Sequence, residues 1–331
     1  MRILGVTLSL GIVLFANLGA RMPMAVKVDE EISGSCEKSI SVFQTEDNSQ
    51  IHFLKIACVH DQGWDTMAEV NFWRRIITLE KDSSMANIYA SRRLLHPVSR
   101  AVVDSLERIG HLDTLRRELC LMYQLPVDTR IKFTGGKKWF YEFSGVKNKL
   151  KRAIKLFDSF HVDPFYAQSV LLIESPGTNK AKSIAGAYGQ FQLMPFVARQ
   201  YGLRVDKYLD ERENFDRSAY AAARLFNEIC IPYARRWCNT YGFAVDESAL
   251  WFKLLVLHCY NAGATTVKNA MQVVPNSYQG NALIHQLWHT NYGRFQSEAQ
   301  NYSQIALACY LEYENSIQKG NLVNSISFNK Y

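Results

Sequence analysis

Residues 171–195 read LLIESPGTNKAKSIAGAYGQFQLMP, and this stretch contains a single carboxylate, Glu174. The apolar run 170–173 directly precedes it. An Asp-Pro pair at 163–164 predicts the N-cap and first turn of a helix over the residues that follow. Pro176 disfavours helical geometry in the residue before it, so this helix is predicted to end at Glu174.

The predicted position of Glu174 alters the chemistry of its carboxyl group. Large aliphatic residues fill the preceding turn, so partial desolvation is expected to raise the pKa. The partial negative charge at the C-terminal end of a helix also disfavours the anion. A carboxyl group that stays protonated near neutral pH can give its proton to the leaving oxygen of a glycoside. The alternative interpretation is a helix-end glutamate whose carboxylate simply reaches water.

The segment after the turn combines glycine with amide side chains. Gly186 and Gly189 would allow the backbone to approach a ligand closely. Gln190 and Gln192 alternate with apolar residues, a mixture suited to N-acetylated sugars. Taken alone, the same pattern is equally compatible with an ordinary turn before a helix that Pro195 opens.

Four short motifs follow one another in the second half of the chain. The first is the Glu-Ser pair at 174–175, and the second is Ser183 followed by GAYGQFQLMP at 186–195. The third is the Tyr-Asn-Ala-Gly sequence at 260–263, and the fourth is EAQNYSQIALACY at 298–310. Together they resemble the lytic transglycosylases of the soluble (SLT) type, a family whose catalytic domain has a goose-lysozyme-like fold. A further segment, YLDERENFDRSAYAAARLF, resembles one found in membrane-bound members of the D type.

The resemblance implies roles for individual residues. Glu174 would be the lone catalytic acid and base, Ser183 and Gln192 would help to position the N-acetylmuramyl residue, and Met194 would line the groove. The full substrate-binding set that the resemblance implies is Ser183, Gly189, Gln190, Gln192, Met194, Tyr260 and Asn261.

Two further expectations come from the same comparison of motifs. Tyr260 is expected to lie close to Glu174, with Asn261 supporting the loop. The family commonly has Leu and Met or Trp where this chain has Gln190 and Phe191, so the sugar contacts there are expected to differ.

The implied reaction cleaves the bond between N-acetylmuramic acid and N-acetylglucosamine in peptidoglycan and leaves a 1,6-anhydro ring. One carboxyl group acts twice, which departs from the usual pair of carboxylates in glycosidases. A lysozyme-like hydrolase is the nearest alternative and would need a second acidic group, for which Asp206, Asp210 and Glu211 stay open. A non-catalytic peptidoglycan-binding scaffold is the alternative from another class.

Other constellations in the sequence are weaker. His285 and His289 have helical spacing, but Gln286 stands where a zinc-protease motif requires Glu, and no third ligand is evident. The adjacent pair at 258–259, a His and a Cys, would point about 100° apart on a helix, which disfavours a nucleophile and its base. We therefore expect no metal and no cofactor.

The predicted fold class is mainly α. Residues 145–320 are expected to form the lysozyme-like catalytic domain, followed by a tail at 321–331. Residues 21–144 are expected to form a mostly helical region of unknown role, with one strand between residues 50 and 59 and a helical pattern over 64–123.

The first twenty residues resemble a signal peptide, with Arg2 followed by an apolar run that is short for a membrane span. An N-terminal anchor is the alternative, and no lipidation cysteine follows the run closely, since the first is Cys36. We expect export to the periplasm or cell envelope. Seven cysteines are then free to form disulfides, with Cys230 and Cys238 as a candidate local pair.

The formal net charge is +7, which suits an acidic polymer. The densest basic patch, residues 137–157, is interpreted as the solvated face of a helix, and no nucleic-acid-binding motif accompanies it. Nucleic acid is therefore not expected as a partner, and the partner that the resemblance implies is the peptidoglycan glycan strand. An envelope protein partner for the N-terminal region and the oligomeric state are left open by the sequence.

Overall fold

The structure is a computed structural model that describes residues 36–44, 50–176, 182–319 and 324–328. The predicted leader lies outside these ranges. The strands are β1 (Lys38–Gln44), β2 (Gln50–Ile56), β3 (Ser83–Ile88), β4 (Leu94–Ser99), β5 (Ile131–Gly135) and β6 (Asn324–Phe328). The helices before residue 145 are α1 (Cys58–Asp61), α2 (Ala68–Thr78), α3 (Arg100–Arg108) and α4 (Leu112–Met122).

Helices dominate the rest of the chain. They are α5 (Lys147–Ser159), α6 (Pro164–Glu174), α7 (Pro195–Gln200), α8 (Phe215–Leu225), α9 (Ile231–Tyr241), α10 (Leu250–Ala262), α11 (Ala264–Met271), α12 (Asn281–His289) and α13 (Glu298–Lys319). A short π-helix at Phe226–Cys230 joins α8 to α9. The predicted mainly α class is therefore confirmed.

Helices α6, α10 and α13 form the centre of the helical region. Residues 165–173 of α6 and 250–259 of α10 are all buried, which fits sequences that are apolar on every side. Helix α13 packs against α6 and α10, and also against α2 from the N-terminal region. One continuous hydrophobic core thus extends across the domain boundary predicted near residue 145.

The strands form two antiparallel sheets of three strands each, in the orders β2-β1-β6 and β4-β3-β5. In the first sheet, a disulfide between Cys36 and Cys58 connects the start of β1 to α1. The second sheet and helix α4 share a small core of their own, built on Ala86, Leu119 and Ile131. We call residues 83–135 the sheet lobe.

The N-terminal region is less helical than predicted. The strand expected between residues 50 and 59 is present as β2, but strands β3, β4 and β5 were not predicted. Pro97, within the segment 64–123 for which a helical pattern was predicted, lies in β4, an edge strand where a proline removes no hydrogen bond from the interior of the sheet. The helical pattern after it is divided at Gly110, whose φ of 73° is unsuited to a helix interior.

The predicted pairing of Cys230 with Cys238 is wrong. Both cysteines are buried and free, and they lie on the continuous helical run from the π-helix into α9. Eight residues of helix separate Cα atoms by about 12 Å, whereas a disulfide requires less than about 7 Å.

None of the helices in the described ranges has both the length and the apolar character of a membrane span.

Candidate functional site

Glu174 is the last residue of α6, as the sequence predicts. At the other end of this helix, the Asp163 carboxylate accepts a hydrogen bond from the Phe165 amide at 3.0 Å. The same carboxylate forms ion pairs with Lys38 at 2.7 Å and with Lys253 at 2.9 Å. The start of helix α6 is therefore held by its own N-cap and by two other elements, β1 and α10, and its buried body leads to a half-buried Glu174.

The carboxyl group of Glu174 is hydrogen-bonded to a tyrosine. The Tyr302 hydroxyl of α13 donates to Glu174 Oε1 at 2.8 Å. Burial raises the pKa of Glu174 from 4.5 to about 7, while the hydrogen bond from Tyr302 opposes this rise and the charge of Glu298 adds to it. The predicted direction of the pKa change is confirmed, and Glu174 exchanges its proton near neutral pH.

Three tyrosines respond to the charge of Glu174. Burial raises the pKa of Tyr260 and of Tyr302, and the nearby Glu174 carboxylate raises both further. Burial also raises the pKa of Tyr141, with Cys309 and Glu174 contributing. Tyr260 therefore lies near Glu174 as predicted, and Tyr141 brings a residue from the N-terminal region to the same place.

The segment after the helix folds into a tight turn. The Ser183 amide donates to the Ala187 carbonyl, and the Ser183 hydroxyl accepts from the Ala187 amide, both at 2.9 Å. Gln192 has a φ of 45°, and its side-chain nitrogen donates to the Gly189 carbonyl at 2.7 Å. Ser183 and Gln192 thus stabilise the shape of the turn, whatever contacts they make with a ligand.

Gly189 is required by packing against the protein itself. Its φ is 80°, and a Cβ at this position would lie 2.1 Å from the Arg212 carbonyl oxygen. The Arg212 guanidinium in turn donates to the carbonyls of Gly186 and Leu193 at 2.8 Å each, and it forms an ion pair with Asp210. Arg212, which the sequence analysis did not identify, therefore holds both ends of the turn.

Gln190 and Phe191 are buried, so the structure places both against the protein interior. The Gln190 carbonyl accepts from the Ser175 hydroxyl at 3.0 Å, which ties the turn to the end of α6. The Phe191 carbonyl accepts from the Tyr260 hydroxyl at 2.5 Å. This bond ties Tyr260, whose pKa the charge of Glu174 raises, to the turn.

The structure thus gathers only part of the predicted set around Glu174. The charge of Glu174 acts on Tyr260. The turn accepts hydrogen bonds from Ser175, the residue after Glu174, and from Tyr260. This turn carries Ser183, Gly189, Gln190 and Gln192. Met194 is half-buried at the start of α7, and Asn261 is exposed in the last turn of α10. Sequence reasoning noted the segment of α13 but did not assign Tyr302, and nothing in the sequence marks Tyr141.

Each of the acidic residues left open for a hydrolase is engaged by arginine. The hydrogen bond from Arg204 lowers the pKa of Asp206, and that from Arg212 lowers the pKa of Asp210. The Arg204 amide lowers the pKa of Glu211. The carboxylate whose charge does reach Glu174 is that of Glu298.

The histidines have structural partners. Burial lowers the pKa of His258 to about 4, and its ring joins Ala299 at 2.7 Å to Ser303 at 2.8 Å. His289 lies 3.1 Å from a carboxylate oxygen of Glu69, a partner from the N-terminal region. Within the described ranges, no group of three or more His, Cys, Asp or Glu residues is arranged to hold a metal ion.

Comparison with known proteins identifies the domain. Residues 152–282 match the family model of the transglycosylase SLT domain, in agreement with the family that the motifs of the sequence resemble. No curated protein matches the chain. Among solved structures, an inactive mutant of the lytic transglycosylase Slt from Pseudomonas aeruginosa matches with 13% identity and a TM-score of 0.34. The match covers 70% of this chain and 32% of that one, so this chain spans about a third of its length.

Proposed function

We propose that this protein is a peptidoglycan lytic transglycosylase that cleaves the β-1,4 bond between N-acetylmuramic acid and N-acetylglucosamine without consuming water. The observation that carries the proposal is Glu174, a half-buried acid whose pKa is raised to about 7 by burial and whose carboxylate is bound by Tyr302. The match to the SLT domain supports the substrate class.

In the first step, Glu174 acts as general acid. The neutral form is populated near pH 7, so its proton can pass to the glycosidic oxygen as the bond to the anomeric carbon breaks. Tyr302 donates to Oε1, which leaves Oε2 as the oxygen that carries the proton. As the proton leaves, the same hydrogen bond stabilises the new carboxylate.

In the second step, the Glu174 carboxylate acts as general base. It takes the proton of the 6-hydroxyl of the same N-acetylmuramyl residue, whose oxygen attacks the anomeric carbon and closes the 1,6-anhydro ring. The acetamido group of the substrate stabilises the oxocarbenium-like state between the two steps. The proton returns to Glu174, so one carboxyl group completes the cycle.

The turn at 182–195 is proposed to hold the sugar chain beside the acid. Ser183, Gln192 and Met194 lie at or near its surface, and Arg212 holds its two ends. Gly189 and Gln190 are assigned to the shape of the turn, because the protein itself occupies the space next to them. Asn261 is proposed to support the neighbouring loop.

A lysozyme-like hydrolase is the second candidate because a second carboxylate, that of Glu298, acts on Glu174. Glu298 is exposed at the start of α13, where a water could be held between the two acids. Export and an envelope location are part of the proposal, with residues 1–20 as the leader. The closeness to the D type, a scaffold role and an envelope partner stay predictions.

The test is mass spectrometry of the muropeptides released from purified peptidoglycan. Native protein is expected to release products one water lighter than those of hydrolysis, and Glu174→Gln none. Glu298→Gln is the matched variant, because it removes a charge near the acid without altering the acid. If native protein releases products with reducing ends and Glu298→Gln does not, the protein is a hydrolase and not a transglycosylase. Release of anhydro products by Glu174→Gln would show that Glu174 is not the general acid and base.

A further inference from the structure

The hairpin between β3 and β4 extends from the sheet lobe to the helix that carries Tyr302. Arg92 in this hairpin has a left-handed backbone with a φ of 56°, and its Nη2 donates to Asn301 Oδ1 at 3.1 Å. Its guanidinium also lies 5.1 Å from the ring centroid of Phe72. Asn301 directly precedes Tyr302, whose hydroxyl binds Glu174, so the hairpin contacts the same turn of α13 that carries the partner of the proposed acid.

Three cations surround one aromatic ring at the base of this hairpin. Lys132 Nζ lies 4.0 Å from the ring centroid of Tyr89, and the guanidinium carbons of Arg130 and Arg92 lie at 4.5 and 5.9 Å. The Tyr89 amide donates to the Arg130 carbonyl at 2.9 Å. The pairing of β3 with β5 then places Lys132 opposite Asn87, so the backbone of the sheet lobe holds the cluster together.

The positive charge of this cluster is not neutralised by the described part of the chain. Arg92, Arg130 and Lys132 form no ion pair with any described carboxylate, and Arg130 and Lys132 are exposed. Glu69 is the carboxylate whose charge acts on Arg92, and His289 holds it at 3.1 Å. Three like charges around one ring repel each other, so an anion that enters between them is favoured.

We propose that Arg92, Arg130 and Lys132, arranged around Tyr89, bind the carboxylates of the peptide stems that peptidoglycan strands carry. The inference rests on the proposed function and adds to it a subsite outside residues 152–282. Arg92 contacts α13, the helix whose Tyr302 binds Glu174, so the stems of a strand held at Glu174 are proposed to reach the cluster. Arginine offers paired donors that match a carboxylate.

Binding is measured by calorimetry with the dipeptide Ala-D-Glu, once with both carboxylates free and once with both amidated. The variant is Arg130→Gln with Lys132→Gln, two exposed positions whose replacement leaves Arg92 and its contact with α13 in place. The matched control is Arg236→Gln with Lys268→Gln. These cations also lie over aromatic rings, at 5.0 and 4.8 Å from the centroids, but on α9 and α11.

The expected result is that the free acid binds native protein and the control equally, and the variant about tenfold more weakly, since two solvent-exposed ion pairs are lost. The amidated dipeptide is expected not to bind. Equal binding of the free acid to variant and native protein, or equal binding of both dipeptides to native protein, would overturn the proposal. So would binding of inorganic phosphate as tight as that of the free acid.

Two further measurements distinguish a stem-binding site from a membrane contact and from a failure of the proposed function. If the variant loses affinity for vesicles of anionic lipid while the native protein ignores the dipeptide, the cluster is a membrane contact and the proposal fails. Cleavage of peptide-free glycan strands tests the proposed function alone, and it is expected to be equal in native protein, variant and control. Cleavage of stem-bearing strands is expected to show a higher KM in the variant only. If native protein binds the dipeptide but cleaves neither kind of strand, the proposed enzymatic function is refuted, while the proposed anion site is supported.

Discussion

Replacing Glu174 with Gln is expected to stabilise the protein at alkaline pH while abolishing cleavage. Burial raises the pKa of Glu174 from 4.5 to about 7. The folded chain therefore keeps a proton that the unfolded chain releases as the pH rises through 4.5. Stability is lost progressively between the two pKa values, and above the folded pKa the loss is complete. A glutamine does not ionise, so it escapes this loss.

The magnitude follows from the two pKa values, which differ by about 2.5. At about 1.4 kcal/mol for each pKa unit, ionised Glu174 lowers the free energy of unfolding by about 3 kcal/mol above neutral pH. Glutamine keeps the oxygen that accepts from Tyr302 at 2.8 Å, so the substitution leaves this contact available. We therefore expect the variant to be more stable by about 3 kcal/mol near pH 8 and nearly unchanged near pH 4.

The assay is urea denaturation of the whole chain at a series of pH values between these limits. Glu298→Gln serves as control, because it removes an exposed carboxylate and is expected to change stability by less than about 0.5 kcal/mol. The reasoning is refuted if Glu174→Gln gains no more stability at alkaline than at acid pH. Such a result would mean that the carboxylate is well solvated in the folded protein.

Three further outcomes follow from the same site. Tyr302→Phe removes a hydrogen bond that favours the Glu174 anion, so the alkaline limb of the pH–rate profile should move up by about one pH unit, and an unmoved limb would refute this. Gly189→Ala should lower the urea midpoint more than Gly186→Ala, because both have positive φ but only Gly189 faces a backbone oxygen; equal losses would contradict it. Arg212→Lys should lower the free energy of unfolding, measured by urea denaturation, by about 1–3 kcal/mol and should raise KM. An unchanged KM would show that the turn does not contribute to substrate binding.

The raised pKa of Glu174 could be predicted from the sequence because the signals for it are local. The Asp-Pro pair and Pro176 set the two ends of α6, and the aliphatic run before Glu174 explains its desolvation. Each of these depends on residues within a few positions of the helix. The direction of the pKa change and the end of the helix both follow from them.

The surroundings of the acid could not be predicted in the same way. Tyr302 lies 128 residues after Glu174, and Tyr141 comes from a region that showed no catalytic pattern. Gly189 was expected to make room for a ligand, whereas it makes room for the Arg212 backbone. These contacts depend on tertiary packing between distant segments, for which a single sequence has no periodic signal.

The sheet lobe escaped prediction for a different reason. Strand β3 reads SSMANI, with neither alternation nor enrichment in β-branched residues, and β4 contains Pro97. Pro97 is tolerated because β4 lies at the edge of the sheet, and the core that the sheet shares with α4 supplies the burial that the sequence pattern of β3 does not indicate. Local propensity was therefore overruled by packing.

Helix α13 explains why the N-terminal region and the catalytic candidate cannot be treated separately. The match to the SLT domain ends at residue 282, so it contains Glu174 but not Tyr302. The N-terminal region braces α13 through Trp73 Nε1, which donates to Gln304 Oε1 at 3.0 Å, and through the Ile56 amide, which donates to the Tyr310 hydroxyl at 2.9 Å. The position of Tyr302 against Glu174 therefore depends on residues before 145, because a buried helix is placed by all the elements that pack on it.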